Sequence, residues 1–482
     1  MNKFEKSLRF IKQSIQPDSP FYAQIFLVGG CVRDELLGER YSDLDLLVNM
    51  PNGQRMFVEY MCTTFPEVCK GPFYYQRYGT TAMDVIIDGS LTLVECVEPH
   101  VEAYAEDGVT LLETRFCSLE EDSSRRDYTC NALYKNLHTG KVLDPTGRGV
   151  EDLRNGLLIT PGDPVAIYRQ DPVRMLRGIR FKHQKGFRLD TDCWQAIIDN
   201  HDAMAISAPK RLRDELNKML KSRTFGEGIN DLLVTGLLTY VMPGLSDYLN
   251  DPQPLDRCEA GTTLWQHTRR SLETLIREHP HCDTLYKLAT LFMDIALIHG
   301  REVAGQLLLN AGIGKEKVAS ILHITEQYRR FSHMFEGGQY VARPRELPHF
   351  KIALAKHCDE FRRMVRALNQ CLLPEEQLPW RELFDDNYVP KQRLPRQAGS
   401  NARSASASGR PSRRRRSSAA VPSAIPEAQA TPEAIADTIP SNSPESPTTD
   451  RKHKRNIKRR EQRKRARARR TASLPSAQPS LE

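Results

Sequence analysis

Nowhere in its 482 residues does the chain offer 18 or more consecutive apolar residues, so no membrane-spanning helix and no membrane partner are expected. The opening Met-Asn-Lys-Phe-Glu-Lys-Ser-Leu-Arg mixes acid and base and contains no apolar block, which argues against a signal peptide. The 11 cysteines are odd in number, scattered, and never spaced Cys-x-x-Cys. That spacing argues against a zinc site and a disulfide framework, and for reduced thiols in a cytoplasmic protein. Aromatic residues are missing from Lys391 onward. Stacking on nucleic-acid bases is therefore not available to that segment.

What is present is unevenly distributed. The net charge of +8 divides into two parts: from Lys391 onward 22 Lys+Arg stand against 7 Asp+Glu, a net of +15, which leaves −7 for the residues before it. The last segment is rich in Ser, Ala, Pro and Arg and cannot bury enough apolar surface to offset its ordering entropy, so a disordered tail is expected over 391–482. Its basic blocks, with Arg413, Arg414, Arg415 and Arg416 in one and Arg459 and Arg460 in the other, suit sequence-independent, salt-sensitive contact with RNA phosphates.

The chain is organised around Phe26-Leu-Val-Gly-Gly-Cys-Val-Arg-Asp-Glu-Leu-Leu-Gly, followed by Ser42-Asp43-Leu44-Asp45. Ile25 to Val28 read as a buried strand, Val32 to Leu37 as a short helix, and Leu44 to Val48 as a second strand. A Gly-Gly after a strand is commonly just a turn, and an Asp-x-Asp is commonly solvated surface. Together they say more. Residues two apart in a strand share a face, so Asp43 and Asp45 present two hard oxygen ligands of the kind Mg²⁺ takes, with Leu44 turned into the core. Gly29 and Gly30 permit a phosphate to approach the backbone, and a helix N-terminus follows. This combination points to nucleotide phosphate chemistry.

Further along, Gly79 to Ile87 and Leu91 to Val97 read as strands, the second carrying Glu95 as a candidate third carboxylate. Arg125, Arg126 and Asp127 sit together, and adjacent arginines can hold a triphosphate by charge-assisted hydrogen bonds. In Tyr168-Arg-Gln-Asp-Pro-Val-Arg, Pro172 suits a first helical turn and Asp171 its N-cap. Asp171 and Arg174 then lie one turn apart, with Arg177 continuing the face. Such a pair is either an ordinary i,i+3 ion pair or an acceptor and donor fork matched to a base edge. From 226 to about 390 apolar residues recur at helical spacing.

These motifs resemble the signature of the class II RNA nucleotidyltransferases, the family of CCA-adding enzymes and bacterial poly(A) polymerases. Leu27-Val-Gly-Gly-x-Val-Arg-Asp-x-Leu-Leu-Gly38 with Asp43-x-Asp45 matches its first element, and Arg125-Arg-Asp-Tyr-Thr-x-Asn-Ala-Leu133 its second. Asp144-Pro-Thr-Gly and Arg211 with Glu215 match later ones. Gln170-Asp171-x-x-Arg174 resembles its Glu-Asp-x-x-Arg element, with Gln170 in place of Glu. His100 stands where the family often has Arg, five residues after the third carboxylate.

The resemblance implies an α+β chain: a polymerase-β-like head with a small mixed sheet (1–150), a helical neck (151–225), a helical RNA-binding body (226–390) and the tail. It implies Mg²⁺ held by Asp43, Asp45 and Glu95, which are thereby the catalytic set. Gly29, Gly30, Arg33 and Asp34 would hold the triphosphate, Arg126, Asp127 and Asn131 would position the nucleotide, and Asp171 with Arg174 would select the base, with Arg177 a further nucleotide-binding residue. ATP, CTP and an RNA 3′ end, such as that of tRNA, are the implied partners. The head favours CCA addition; the neck and basic tail resemble poly(A) polymerases. A non-catalytic RNA-binding protein on a transferase scaffold is the reading from another class. Leu264-Trp-Gln-His267 and Leu291-Phe-Met-Asp294 also resemble the start of an HD hydrolase domain, but Met293 takes the position of the metal-binding His, which implies a relic.

Overall fold

The computed structural model describes residues 2–40, 43–75, 79–104, 111–252, 261–336, 339–342, 350, 358–372, 374, 377 and 378. All of them lie in the first of two compact units, Met1–Gln397; the second is Ala398–Glu482. The expected tail, including Arg413 to Arg416, Arg459 and Arg460, lies outside the described residues.

Helix α1 (Lys3–Ser14) starts at a capping box between Asn2 and Glu5 and buries Ile11. Strand β1 (Ile25–Val28) is buried on both faces: Ile25 and Leu27 enter the main core, while Phe26 and Val28 enter a smaller cluster with Leu47, Leu119 and Tyr134. Chain reversal through α2 (Gly30–Leu36) brings β2 (Leu44–Val48) antiparallel to β1. After α3 (Gly53–Thr64) come β3 (Cys69–Tyr75), β4 (Thr80–Ile87) and β5 (Ser90–Val97). The hairpin β6 (His100–Tyr104) and β7 (Leu111–Phe116), helix α4 (Leu119–Ser124), and strands β8 (Tyr134–Asn136) and β9 (Val142–Leu143) complete the head.

The main sheet has the order β3-β4-β5-β2-β1-β8-β9. Only β2 and β5 run parallel, so the sheet is mixed, as expected. Alternation along β2 and β5 gives the sheet two different faces. Leu44, Leu46, Val48, Val94 and Cys96 point into the core beneath α1 and α3. Asp45, Leu47, Glu95 and Val97 point the other way, towards the smaller cluster that includes Leu119 of α4.

The chain then becomes helical: α5 (Gly149–Arg154), a short parallel pair β10 (Leu157–Leu158) and β11 (Arg188–Leu189), and α6 to α9 (Pro164–Gln170, Val173–Lys185, Thr191–Asn200, Pro209–Met219). Asp171 is extended, its carboxylate accepts from the Val173 N–H at 3.3 Å, and Pro172 is already helical. The residue thus does what an N-cap side chain does at the start of α7. Helices α10 to α16 (Phe225–Val234, Leu238–Val241, Ser246–Leu249, Leu264–Glu278, Thr284–Ile298, Arg301–Asn310, Lys315–Ser332), a two-residue hairpin, and α17 (Cys358–Asn369) follow. The α+β class therefore holds, with the sheet confined to the head apart from short pairs. No helix of the described residues is long and apolar enough to cross a membrane.

Candidate active site

Gly29 adopts φ +61°, ψ −126°, a conformation that a side chain disfavours, and it turns the chain from β1 into α2. A Cβ there would lie 3.7 Å from Arg126 Nη1, so the glycine cradle faces that guanidinium. Cys31, one residue beyond the pair, ties the cradle to the carboxylates: its thiol donates to the Asp43 carbonyl at 3.2 Å, and the Asp45 N–H reaches its sulfur at 3.4 Å. Burial, then the charge of Asp45, pushes that thiol up to about 12, which keeps it a neutral donor. Nothing in the motif reading marked Cys31 for this role.

The parallel register pairs Asp45 of β2 directly with Glu95 of β5. Adjacent strands lie about 4.8 Å apart, so the two carboxylates leave the same face side by side. Burial is the largest influence on Asp45, followed by the charges of Glu95 and Asp43, and together they push it up to about 7. Arg126 and Arg177 are near enough to pull it part of the way back. Among the described residues no three His, Cys, Asp or Glu side chains converge into a ready-made metal cage. The crowding of negative charge at Asp45 is of the kind a divalent ion relieves, with phosphate oxygens and water among its ligands.

Beside the carboxylates, Arg126 donates to Asp122 (2.9 and 3.0 Å) and lies 4.9 Å over the ring of Tyr134. Asp122 also holds Arg125 and accepts from Tyr134 Oη at 2.7 Å. Burial opposes its ionised form, but Arg126 and Arg125 hold it well below the usual carboxylate range. Asp122 was not singled out from sequence, although its i,i+3 and i,i+4 spacing from the two arginines was the available signal. His100 sits with Nδ1 3.2 Å from Arg125 Nη2, so an arginine does reach that corner, but from the C-cap of α4.

A second network joins the remaining candidates. Arg33 pairs with Asp34 at 2.7 Å and donates to Asn131 Oδ1 at 2.8 Å. Asn131 donates to Asp127 at 3.0 Å, and Arg177 of α7 donates to the other Asp127 oxygen at 2.8 Å. Lys185 reaches Asp34 at 2.8 Å from the far end of α7. Gly29, Arg33, Asp34, Arg126, Asp127, Asn131 and Arg177 are thus brought together, with Gly30 3.7 Å from Arg33 Nη2 by its Cβ position.

Asp171 and Arg174 stand 3.9 Å apart, but each has a closer partner. Arg211 grips Asp171 through both oxygens (2.8 and 2.7 Å), and Arg174 donates to Gln170 Oε1 (2.8 Å) and the Ile167 carbonyl (3.1 Å). In the body, His267 Nδ1 lies 2.6 Å from Asp294 Oδ2, which also accepts from Thr268, while Met293 is packed in the core.

Burial opposes ionisation of Asp127, yet Arg177 and Asn131 bring it down to about 2. A depressed carboxylate contributes stability above its unfolded pKa, near 3.9, and loses it as pH falls through 2. Thermal unfolding followed from pH 5 to pH 2 is expected to show a loss on the order of 1–2 kcal/mol that Asp127→Asn does not share.

Comparison with known proteins bears on this geometry. Residues 25–159 match the model of the poly A polymerase head domain, and residues 186–249 match the probable RNA and SrmB-binding site of polymerase A. These two matches cover most of the segments whose motifs resemble the class II RNA nucleotidyltransferases. A CCA-adding enzyme from Geobacillus sp. (strain WCH70) is 32% identical over 257 residues, covering 53% of this chain and 58% of that one. Poly(A) polymerase I from Haemophilus influenzae is 30% identical over 237 residues, covering 48% and 50%. The chain thus spans about half the length of the curated relatives it matches. Its fold is that of the Bacillus stearothermophilus CCA-adding enzyme solved in complex with CTP, with a TM-score of 0.54 over 79% of this chain and 81% of that one, at 22% identity.

Proposed function

We propose that this protein is a template-independent RNA 3′-end nucleotidyltransferase that adds CCA to tRNA from CTP and ATP and releases pyrophosphate. The observation that carries this reading is the parallel β2–β5 pairing, which sets Asp45 against Glu95, with Asp43 adjoining, beside the Gly29–Gly30 turn and Arg126. In the reaction, the RNA 3′-hydroxyl gives up its proton to solvent as its oxygen forms a bond to the α-phosphorus, and the bond from that phosphorus to the bridging oxygen breaks to free pyrophosphate. Asp43, Asp45 and Glu95 would hold Mg²⁺, which when bound neutralises charge on the reacting phosphate oxygens. The Gly29–Gly30 backbone leaves room for the triphosphate. Arg126, beside the Gly29 turn, offsets the charge that builds on the departing pyrophosphate, while Arg33 and Arg177 grip phosphate oxygens outside the reacting bond. Their carboxylate partners, Asp34, Asp122 and Asp127, fix them in place beforehand.

Base choice falls to Asp171 and Arg174, which offer an acceptor and a donor fork once they turn from Arg211 and Gln170 towards the base. Asp171→Ala is expected to lower discrimination between CTP or ATP and the other two nucleotides by about 10²-fold, because a base edge is then no longer matched. Single-nucleotide incorporation with each of the four triphosphates reads this out.

Poly(A) tailing is the second reading, favoured by the similar extent of the match to a poly(A) polymerase I. Incubating the protein with tRNA lacking its CCA end decides between them. Three added nucleotides from CTP plus ATP support CCA addition; long A tracts from ATP alone support tailing.

A further inference from the structure

Phe181 of α7 is 3% exposed, and three guanidinium groups pack on its ring. Arg180 Cζ lies 4.0 Å from the ring centroid, Arg33 Cζ 4.8 Å and Arg177 Cζ 5.4 Å. Two of these arginines belong to the neck helix and one to α2 of the head. Each has its own carboxylate: Asp34 for Arg33, Asp127 for Arg177, Glu215 for Arg180. Arg33, Asn131, Asp127 and Arg177 form a run of hydrogen bonds, and the Phe181 ring closes that run into a circuit. It is the one member of the circuit with no polar group.

Like charges brought together repel, and burial makes the repulsion stronger. The face of an aromatic ring carries negative electrostatic potential and attracts a guanidinium, more so when water is excluded. A leucine would fill much of the same space without that attraction or a flat wall. The packing of three arginines from two elements on one buried ring is therefore more than apolar filling.

We propose that Phe181 is a positioning residue, whose ring sets the guanidiniums of Arg33 and Arg177 for the nucleotide triphosphate. The inference rests on the reading that these two arginines hold the nucleotide. Phosphates outside the reacting bond are gripped alike in the ground state and the transition state, so loss of the grip raises KM and leaves kcat nearly unchanged.

The test replaces Phe181 in the full-length protein by mono-, di- and trifluorinated phenylalanine and, separately, makes Phe181→Leu. Fluorine withdraws charge from the ring face while the side chain stays apolar and close to the same size. Calorimetry with ATP and CTP in the presence of Mg²⁺ gives Kd, and incorporation kinetics give KM and kcat. We expect Kd and KM to rise at each fluorination step, reaching about tenfold in the trifluorinated protein and in Phe181→Leu, with kcat within about twofold. Phe181→Leu weakening binding while the fluorinated series stays within about twofold of the parent would overturn the proposal, since the ring would then only fill space. So would a fall in kcat at constant Kd. If the unsubstituted protein bound neither nucleotide, the nucleotide-site reading itself would fail, and this inference with it.

Discussion

Asp45→Asn is expected to lower nucleotide addition by at least about 10³-fold while making the metal-free protein more stable. The loss follows from where Asp45 sits, in direct register with Glu95 and next to Asp43 on the one face of the sheet not closed by α1 and α3. The gain follows from the same fact. Burial and two neighbouring negative charges oppose ionisation of Asp45, so its carboxylate costs folding free energy at neutral pH. Removing that charge should return on the order of 1 kcal/mol, about 1 °C in Tm for a chain of this size. Asp127→Asn is the contrast. Its carboxylate is paired with Arg177 and Asn131, so that substitution should lose both activity and stability. Incorporation assays and thermal melts in chelator-treated buffer on both variants measure the two effects. If Asp45→Asn retained full activity, the non-catalytic RNA-binding reading would take the place of the transferase.

The carboxylates and the glycine turn were legible in sequence because the physics there is local. Period-two alternation places Asp43 and Asp45, and the apolar runs that flank them delimit β1 and β2 to the residue. Glu95 was legible only as a strand residue. Its place beside Asp45 depends on a parallel pairing between strands separated by α3, β3 and β4, and no short-range pattern encodes that. The arginines were read as phosphate ligands, but not their partners. Asp122 could have been found from its spacing on α4, whereas Arg211 on Asp171 and Lys185 on Asp34 join distant segments. Cys31 and Phe181 escaped for a different reason: a cysteine and a phenylalanine in apolar surroundings look like core, and their contacts with Asp43, Asp45 and three arginines exist only in the folded chain.

Gly178 leads to the other large expected effect. A glycine inside a 13-residue helix costs about 1 kcal/mol relative to alanine, so its presence in α7 calls for a reason. The reason is Tyr128, from the Arg-Arg-Asp-Tyr motif of the head, which is fully buried and donates from its hydroxyl to the Arg174 carbonyl at 2.9 Å. A Cβ on Gly178 would lie 2.1 Å from that hydroxyl and 3.0 Å from the ring carbon bearing it. Gly178→Ala must therefore push α7 off the head or expel Tyr128, at a cost of about 2–3 kcal/mol, despite its better helix propensity. Tyr128→Phe alone should cost about 1 kcal/mol for the lost hydrogen bond. The double variant should cost less than the two together by at least about 0.5 kcal/mol, because Phe removes the atom that the new methyl meets first. Denaturant unfolding of the four proteins closes that cycle. The same helix carries Arg174, Arg177, Arg180 and Phe181, so a displaced α7 should weaken ATP and CTP binding in Gly178→Ala, and Tyr128→Phe should partly restore it. Additive costs would place the clash elsewhere; a cycle that closes with coupling fixes Gly178 against Tyr128 as the contact that sets the neck's arginines over the head.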